Sequence, residues 1–96
     1  SSEALDCLEE FAALMQESGR SVDAVRVHAA TAAIRDRLTI PRLQRAESRR
    51  LASLGAAREV LGEAAFEAVW ADGATWALDD AIDAALSFAG EPVLAA

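Results

Sequence analysis

The fold is decided by the stretch Leu61-Gly-Glu-Ala-Ala-Phe66-Glu-Ala-Val-Trp70-Ala-Asp-Gly73. Phe66, Val69 and Trp70 recur at helical spacing and predict one apolar face of an amphipathic helix. Gly73 stands where that helix is expected to end, because glycine adopts the left-handed conformation at the least cost. The pattern describes packing between helices, and it places no reactive group next to another.

The rest of the chain continues the helical pattern and predicts an all-α fold of about five helices, with a tetratricopeptide-like helical hairpin followed by C-terminal helices. Alanine supplies 24 of the 96 residues and arginine all nine basic ones, a composition rich in helix formers. Leu78-Asp-Asp-Ala81 opens the last helix with two acids that suit its dipole. The expected helices cover residues 3–17, 22–38, 41–61, 63–72 and 78–88, in one domain over 1–89 with a flexible tail over 90–96.

Turn residues separate these helices. Gly19 is expected to end the first helix in the left-handed conformation, and Ser21 to cap the second. Thr39-Ile40-Pro41 predicts a break, with the third helix starting at Pro41, because proline disfavours helix at the preceding residue and suits a helix start. Gly62 permits the chain to bend before the fourth helix.

The second helix carries two apolar faces and should therefore have neighbours on both sides. One face is formed by Val22, Val25, Ala29 and Ala32, and the other by Val27, Ala30, Ile34 and Leu38. Its many alanines allow neighbouring helix axes to approach closely. The third helix contributes apolar surface from Leu43, Leu51, Leu54 and Leu61, and Trp76 is expected to cover the junction before the fifth helix.

Charge is distributed in three blocks. Residues 1–34 hold six acids and two arginines (net −4), residues 35–58 two acids and seven arginines (net +5), and residues 59–96 eight acids and no arginine (net −8). We expect the basic block to be neutralised internally, which requires no external polyanion. Glu59, Glu63 and Glu67 form an acidic ridge that could pair with the arginines if the chain reverses near Gly62.

Cysteine usage and hydropathy bear on the location of the protein. A single cysteine, Cys7, suits a reducing compartment, and its apolar neighbours predict a buried thiol. No apolar run reaches the length of a membrane span, and no signal peptide is visible. We therefore expect a cytoplasmic protein without membrane contact. The chain starts at Ser1 without methionine, which favours a fragment of a longer polypeptide.

A resemblance emerges once the helices are placed. Residues 8–24 resemble half of a tetratricopeptide repeat, through Leu8, Phe11, Ala12, Gly19 and Ala24. A longer pattern, over about residues 4–86, resembles the C-terminal helical region of large bacterial signal-transduction ATPases, which include LuxR-type transcriptional regulators and related cyclase- or kinase-linked proteins. This pattern comprises residues 27–38, Pro41, residues 56–58, Leu61-Gly62, Phe66, Trp70, Gly73 and Ala81.

The resemblance implies a helical scaffold that senses a protein partner or a small effector, with ATPase, cyclase, kinase or DNA-binding chemistry in other domains. It carries no catalytic residue onto this chain. Three positions depart from the pattern: His28 and Thr39 replace glycines, and Ala77 replaces a serine cap. His28 should need more room between helices, and Ala77 should weaken the fifth helix by about 1 kcal/mol.

No residue set predicts catalysis, a cofactor site or a metal site. Cys7 and His28 have no recognised partners and lie in apolar helical surroundings, so structural roles are expected. Asp79, Asp80 and Asp83 could bind a cation, but acids at a helix start are ordinary. The absence of lysine excludes a P-loop lysine and Schiff-base chemistry in this chain. An independent enzyme is therefore not expected.

Two function classes remain. The first is a non-catalytic scaffold or sensor that binds a protein partner or other domains of the same polypeptide, with possible self-association through an apolar face of the first helix pair. The alternative is binding of nucleic acid or another anion through the basic block between Arg35 and Arg58, with Arg42, Arg45 and Arg49 on one ridge. The acidic flanks and the lack of interleaved aromatics favour the first class.

Overall fold

The structure is a computed structural model that describes residues 2–91. Over these residues the chain is all-α with no strand, as the sequence predicts. Its five helices are α1 Ser2–Glu17, α2 Ser21–Leu38, α3 Gln44–Leu61, α4 Glu63–Ala74 and α5 Leu78–Ala89. No helix in this range has the length and apolar character to cross a membrane. The tail expected over 90–96 lies, beyond Glu91, outside the described residues.

The turn between α1 and α2 is closed by backbone hydrogen bonds around Gly19. Gly19 has φ +81°, and the Arg20 N–H donates to the Met15 carbonyl at 2.8 Å. The Gly19 N–H donates to the Gln16 carbonyl at 3.1 Å, which completes a Schellman motif. Gly19 thus ends α1 as predicted. The prediction that Ser21 caps α2 is wrong. Arg20 occupies the N-cap position, and Ser21 is the first helical residue.

Helix α2 lies at the centre of the domain and contacts each of the other four helices. One side of α2 joins a core cluster with α1 and α5, made of Leu8, Ala12, Met15, Ala24, Val27, Ala30, Ala81 and Ala85. The other side joins a cluster with α3 and α4, made of Val25, Leu54, Ala57 and Phe66. The two apolar faces predicted for α2 are therefore real, although Val22 and Leu38 at their ends are exposed.

The α2–α3 connection is longer than predicted, because α3 starts later in the chain. Thr39 follows α2 with φ +55°, and the Ile40 N–H donates to the Arg35 carbonyl at 2.9 Å. This is the left-handed position that glycine usually takes, so a β-branched residue is strained there. The prediction that α3 starts at Pro41 is wrong. The Pro41 carbonyl accepts a hydrogen bond from Arg35, and Leu43 is extended, so the helix begins at Gln44.

Gly73 has a different role from the predicted one. Gly62, with φ +83°, separates α3 from α4 as expected, but α4 continues through Gly73 to Ala74. Gly73 is buried, and a Cβ placed on it would lie 2.5 Å from the Arg26 carbonyl oxygen and 2.6 Å from the Arg26 Cα. The glycine therefore permits close packing of α4 on α2 and does not terminate the helix.

The start of α5 lacks a side-chain cap on Ala77, as the sequence shows. Asp80 compensates in part, because its Oδ2 accepts a hydrogen bond from the Ala77 N–H at 3.0 Å. Trp76 and Phe88 pack against the cluster that α5 shares with α1 and α2, and Phe88 meets Phe11 edge to face. Helix α5 thus covers the side of the α1–α2 pair that faces away from α4.

Cys7 is exposed, so the prediction of a buried thiol is wrong. Leu5, Leu8 and Ala12 occupy the buried face of α1. Cys7 directly precedes Leu8 and is turned away from the core by about 100° around the helix axis.

We predict that Gly73→Ala lowers the free energy of unfolding by about 2 kcal/mol or more, because its Cβ would overlap the Arg26 backbone, which cannot move as a side chain could. Urea denaturation measures the change. Gly55→Ala is the matched control: no atom lies within 4 Å of a Cβ there, and alanine should stabilise α3 by up to about 1 kcal/mol. Equal effects of the two substitutions would contradict the packing role of Gly73.

Candidate functional site

The buried face of α2 ends in a charged side chain. Arg35 is 4% exposed and donates to Glu9 on α1 through Nε at 3.2 Å and Nη2 at 3.0 Å. Its Nη2 also lies 2.7 Å from Asp6, and its Nη1 donates to the Pro41 carbonyl at 2.8 Å. The guanidinium is therefore paired on all three nitrogens, which is how a buried arginine is stabilised.

The charged cluster extends from Glu9 into α3. Arg42 donates from Nε to Glu9 at 2.7 Å and from Nη1 to Glu47 at 3.1 Å. Arg50 holds Glu47 with two further hydrogen bonds of 2.9 Å. Hydrogen bonds and charge from Arg50, together with Arg42, lower the pKa of Glu47 to about 2. We call the set Asp6, Glu9, Arg35, Arg42, Glu47 and Arg50 the ionic network; it holds three positive and three negative charges.

The three predicted anion-binding residues do not form one ridge with one role. Arg42 belongs to the ionic network and is 14% exposed. Arg49 pairs with α1, its Nε lying 2.9 Å from Glu10 and its Nη2 3.7 Å from Glu17. Arg45 is exposed and has no ion pair among residues 2–91. The three arginines therefore have different surroundings and different partners.

Five of the seven arginines in the basic block form ion pairs among the described residues, but the predicted acidic ridge supplies only one of their partners. Of the acidic ridge, Glu63 pairs with Arg58 at 3.1 Å, whereas Glu59 and Glu67 make no ion pair among the described residues. The arginines instead face α1 and Glu47, because α1 packs against both α2 and α3. Helical spacing along α4 could not reveal that packing.

Sequence reasoning missed Glu9, Arg35 and Glu47 as members of one cluster. A signal for Glu9 was present: it lies four residues after Leu5 and next to Leu8, on the apolar face of α1. An acid on a buried face requires a partner, which could have pointed to the network. The identity of that partner depends on the packing of α1 against α2.

An open cleft lies beside the network, between α2, the α2–α3 connection and α4. It encloses about 890 Å³, and its floor is made of Ala29, Ala32 and Ala33 from α2. Trp70 of α4 and Ile40 and Pro41 of the α2–α3 connection also line it. The network arginines Arg35, Arg42 and Arg50 also line it, as does the exposed Asp36.

A second groove of about 490 Å³ lies between α3 and α4. Phe66 and Trp70 line it, with their rings stacked at 6.0 Å, and Arg58 covers the Phe66 ring at 4.3 Å. Leu51 and Gly55 of α3 form its other side. Trp70 therefore separates the groove from the cleft and is only partly buried, although the sequence predicts it in the core.

His28 is a buried structural residue. Its Nε2 lies 2.9 Å from the Ser53 hydroxyl on α3, and its Nδ1 has no partner among the described residues. Burial lowers the pKa of His28 from 6.5 to about 4, and the charges of Arg50 and Arg42 act in the same direction. The imidazole is therefore neutral at pH 7. The sequence predicts that His28 needs more room between helices, and its side chain occupies the space between α2 and α3, where it contacts Ser53.

The remaining acidic side chains do not gather into a metal-binding cluster within the described range. Residues 2–91 contain no group of three or more histidine, cysteine, aspartate or glutamate side chains placed to hold a metal ion. Asp80 is engaged with the Ala77 N–H, as an acid in the first turn of a helix commonly is. The arrangement places apolar surface next to arginines that are paired with carboxylates of the same chain.

We predict that Glu9→Gln lowers the free energy of unfolding by about 2–4 kcal/mol, since it removes the carboxylate shared by the buried Arg35 and Arg42. The adjacent Glu10→Gln is the matched control and should cost less than about 1 kcal/mol, because Glu10 and its partner Arg49 are exposed. Denaturant titration measures both. Similar losses in the two variants would contradict a stabilising role for the network.

We predict a loss of stability on acidification between pH 6.5 and 4 that depends on His28. The unfolded chain binds a proton near its ordinary pKa of 6.5, whereas the folded state resists it until about 4, so the free energy of unfolding falls through this window by up to about 3 kcal/mol. Chemical denaturation across this pH range should show the decline, and His28→Gln should flatten it. The carboxylate of Glu47 contributes below this window, between its ordinary pKa of 4.5 and about 2.

Comparison of this chain with protein-family models, with curated proteins and with solved structures gives no match. The candidate site is therefore defined by its own residues, namely the alanine floor, Trp70 and the arginines that line the cleft.

Proposed function

We propose that this chain is a non-catalytic helical scaffold or sensor module that binds a protein partner, or a neighbouring domain, through the cleft between α2 and α4. The cleft is the single observation that carries the proposal. It combines about 890 Å³ of open volume with an alanine floor, and Trp70 and three arginines are also among its lining residues. Apolar surface that includes an aromatic side chain and arginines is typical of protein interfaces.

The state of the charged groups supports binding over catalysis. Arg35, Arg42 and Arg50 are already held by carboxylates of the same chain, so they border the cleft as fixed structure. His28, the residue type most suited to proton transfer at neutral pH, is buried and neutral. A rigid border of this kind orients a bound segment without moving protons.

The resemblance to the helical regions of bacterial signal-transduction ATPases agrees with this proposal. In those proteins the helical region is a scaffold that responds to a partner or effector, and the chemistry resides in other domains. The all-α architecture is consistent with that role. We therefore propose a place in a signalling or transcriptional regulator, in which occupation of the cleft is the signal.

One observation favours a second candidate, the binding of an anion or nucleic acid by the basic block. Within the described residues, Nη2 of Arg42 and Nη1 of Arg50 make no hydrogen bond, and both side chains line the cleft. These groups could donate to a phosphate or carboxylate. A titration with duplex and single-stranded oligonucleotides at low and high salt separates the candidates, because phosphate binding falls steeply as salt rises. The docking proposal expects no appreciable binding at either salt concentration.

The docking proposal is tested by selecting displayed random peptides against the chain. Trp76→Phe leaves Trp70 as the sole tryptophan, so a peptide that occupies the cleft should change its fluorescence in a saturable titration. Ala33→Glu places a charged side chain on the cleft floor and should weaken binding of the selected peptides by about tenfold or more. Ala68→Glu, on an exposed part of α4 outside the cleft, is the matched control and should leave binding unchanged. Selected peptides that bind both variants equally, or no enrichment of peptides, would contradict the proposal.

A further inference from the structure

Helix α3 presents a face to solvent that no other helix covers among the described residues. Its buried residues, Ser53, Leu54 and Ala57, lie on the side towards α1, α2 and α4. The opposite side is exposed along the whole helix and comprises Arg45, Ser48, Ala52, Gly55, Ala56 and Glu59, whereas Arg49 at its edge is held by Glu10 and Glu17 of α1. We call this set the outer face of α3.

Two large apolar side chains border the outer face. Leu51 is 56% exposed and Val60 is 67% exposed, although both stand in a helix whose other side is packed. At 100° per residue they lie on opposite sides of Ala52. A second helix laid along the outer face would contact them from both flanks, which would remove apolar surface from water.

The two ends of the outer face carry opposite charges. Arg45 stands near the start of α3 and Glu59 near its end, and neither makes an ion pair among residues 2–91. They are 14 residues apart, which is about 21 Å along the axis, and they lie within about 40° of each other around it. The face is therefore a dipole of side-chain charges with an uncharged middle at Ala52.

We propose that the outer face of α3 binds the same face of a second copy of this chain, in an antiparallel two-fold dimer centred on Ala52. Only an antiparallel arrangement places Arg45 of each copy opposite Glu59 of the other, whereas a parallel one places like charges together. A two-fold contact requires this self-complementarity, and the two residues lie at equal distances from Ala52.

Gly55 supports the same register. It lies inside α3, where glycine weakens a helix, yet a Cβ there would meet no atom within 4 Å. The single chain therefore gives no packing reason for a glycine at this position. In the proposed register Gly55 lies opposite Arg49 of the second copy, whose guanidinium is held by Glu10 and Glu17 of its own α1, so the missing side chain lets the two helices approach beside the arginine stem.

The expected complex is small and closed. Helix α3 has 18 residues and is about 27 Å long, so the interface falls at the lower end of specific interfaces and should be transient. In a two-fold dimer the outer face of each copy is covered by that of the other, so no outer face is left to bind a third copy and association should stop at the dimer. The outer face is separate from the cleft between α2 and α4, so this inference is independent of the proposed function.

Sedimentation equilibrium of the chain over a range of concentrations tests the proposal. We expect the mass to rise from monomer to dimer and no further, with weaker association at high salt. Arg45→Glu and Glu59→Arg should each weaken dimerisation by about tenfold or more, because each places like charges opposite one another twice per dimer. The double variant should regain the dimer. An equimolar mixture of the two single variants should also associate, since both acids of one variant then lie opposite the two arginines of the other.

Arg37→Glu is the matched control, because Arg37 is exposed on α2, makes no ion pair among the described residues and lies off the outer face. It should leave the dimer unchanged. Gly55→Leu provides a second test that does not alter charge, since the open space at Gly55 lets the monomer fold while the bulky side chain blocks the interface. A chain that stays monomeric at all concentrations, or single variants that dimerise as well as the unmodified chain, would overturn the proposal.

Discussion

The structure depends on the pairing of Arg35 with Glu9 between α2 and α1. Both side chains are almost completely buried, and a buried charge is tolerated only when an opposite charge and hydrogen bonds compensate it. Because Glu9 also accepts from Arg42, the same carboxylate fixes the start of α3. One acid on α1 therefore links α1 both to α2 and to the connection that leads into α3.

The network also decides how the uneven charge of the chain is used. The sequence places most arginines in one block, which raises the possibility of an external anion. Within the fold, Asp6, Glu9 and Glu47 match Arg35, Arg42 and Arg50 one for one. The cleft also presents the side chains of its alanine floor and of Trp70, and this apolar surface is the reason for favouring docking over phosphate binding.

Glycine illustrates how far local patterns reach. Gly19 and Gly62 take positive φ at the breaks that the sequence predicts, because helix ends have a local geometric requirement. Gly73 matches the same pattern, yet it is needed for close approach to Arg26, a residue 47 positions away in the chain. The residues next to a glycine in the chain can predict its conformation, but they do not show which distant segment it packs against.

The helical class, the approximate bounds of the five helices and the two-sided burial of α2 could be read from the chain alone, because they follow from periodicity and from residues that end helices. Packing between the helices decided which acid meets which arginine, where α3 begins and why Cys7 faces solvent. It also created the cleft, whose lining comes from α2, the α2–α3 connection, α3 and α4. The physical reason is that hydrophobic periodicity marks the face of a helix that is buried, whereas the choice of neighbour on that face depends on packing summed over the whole domain.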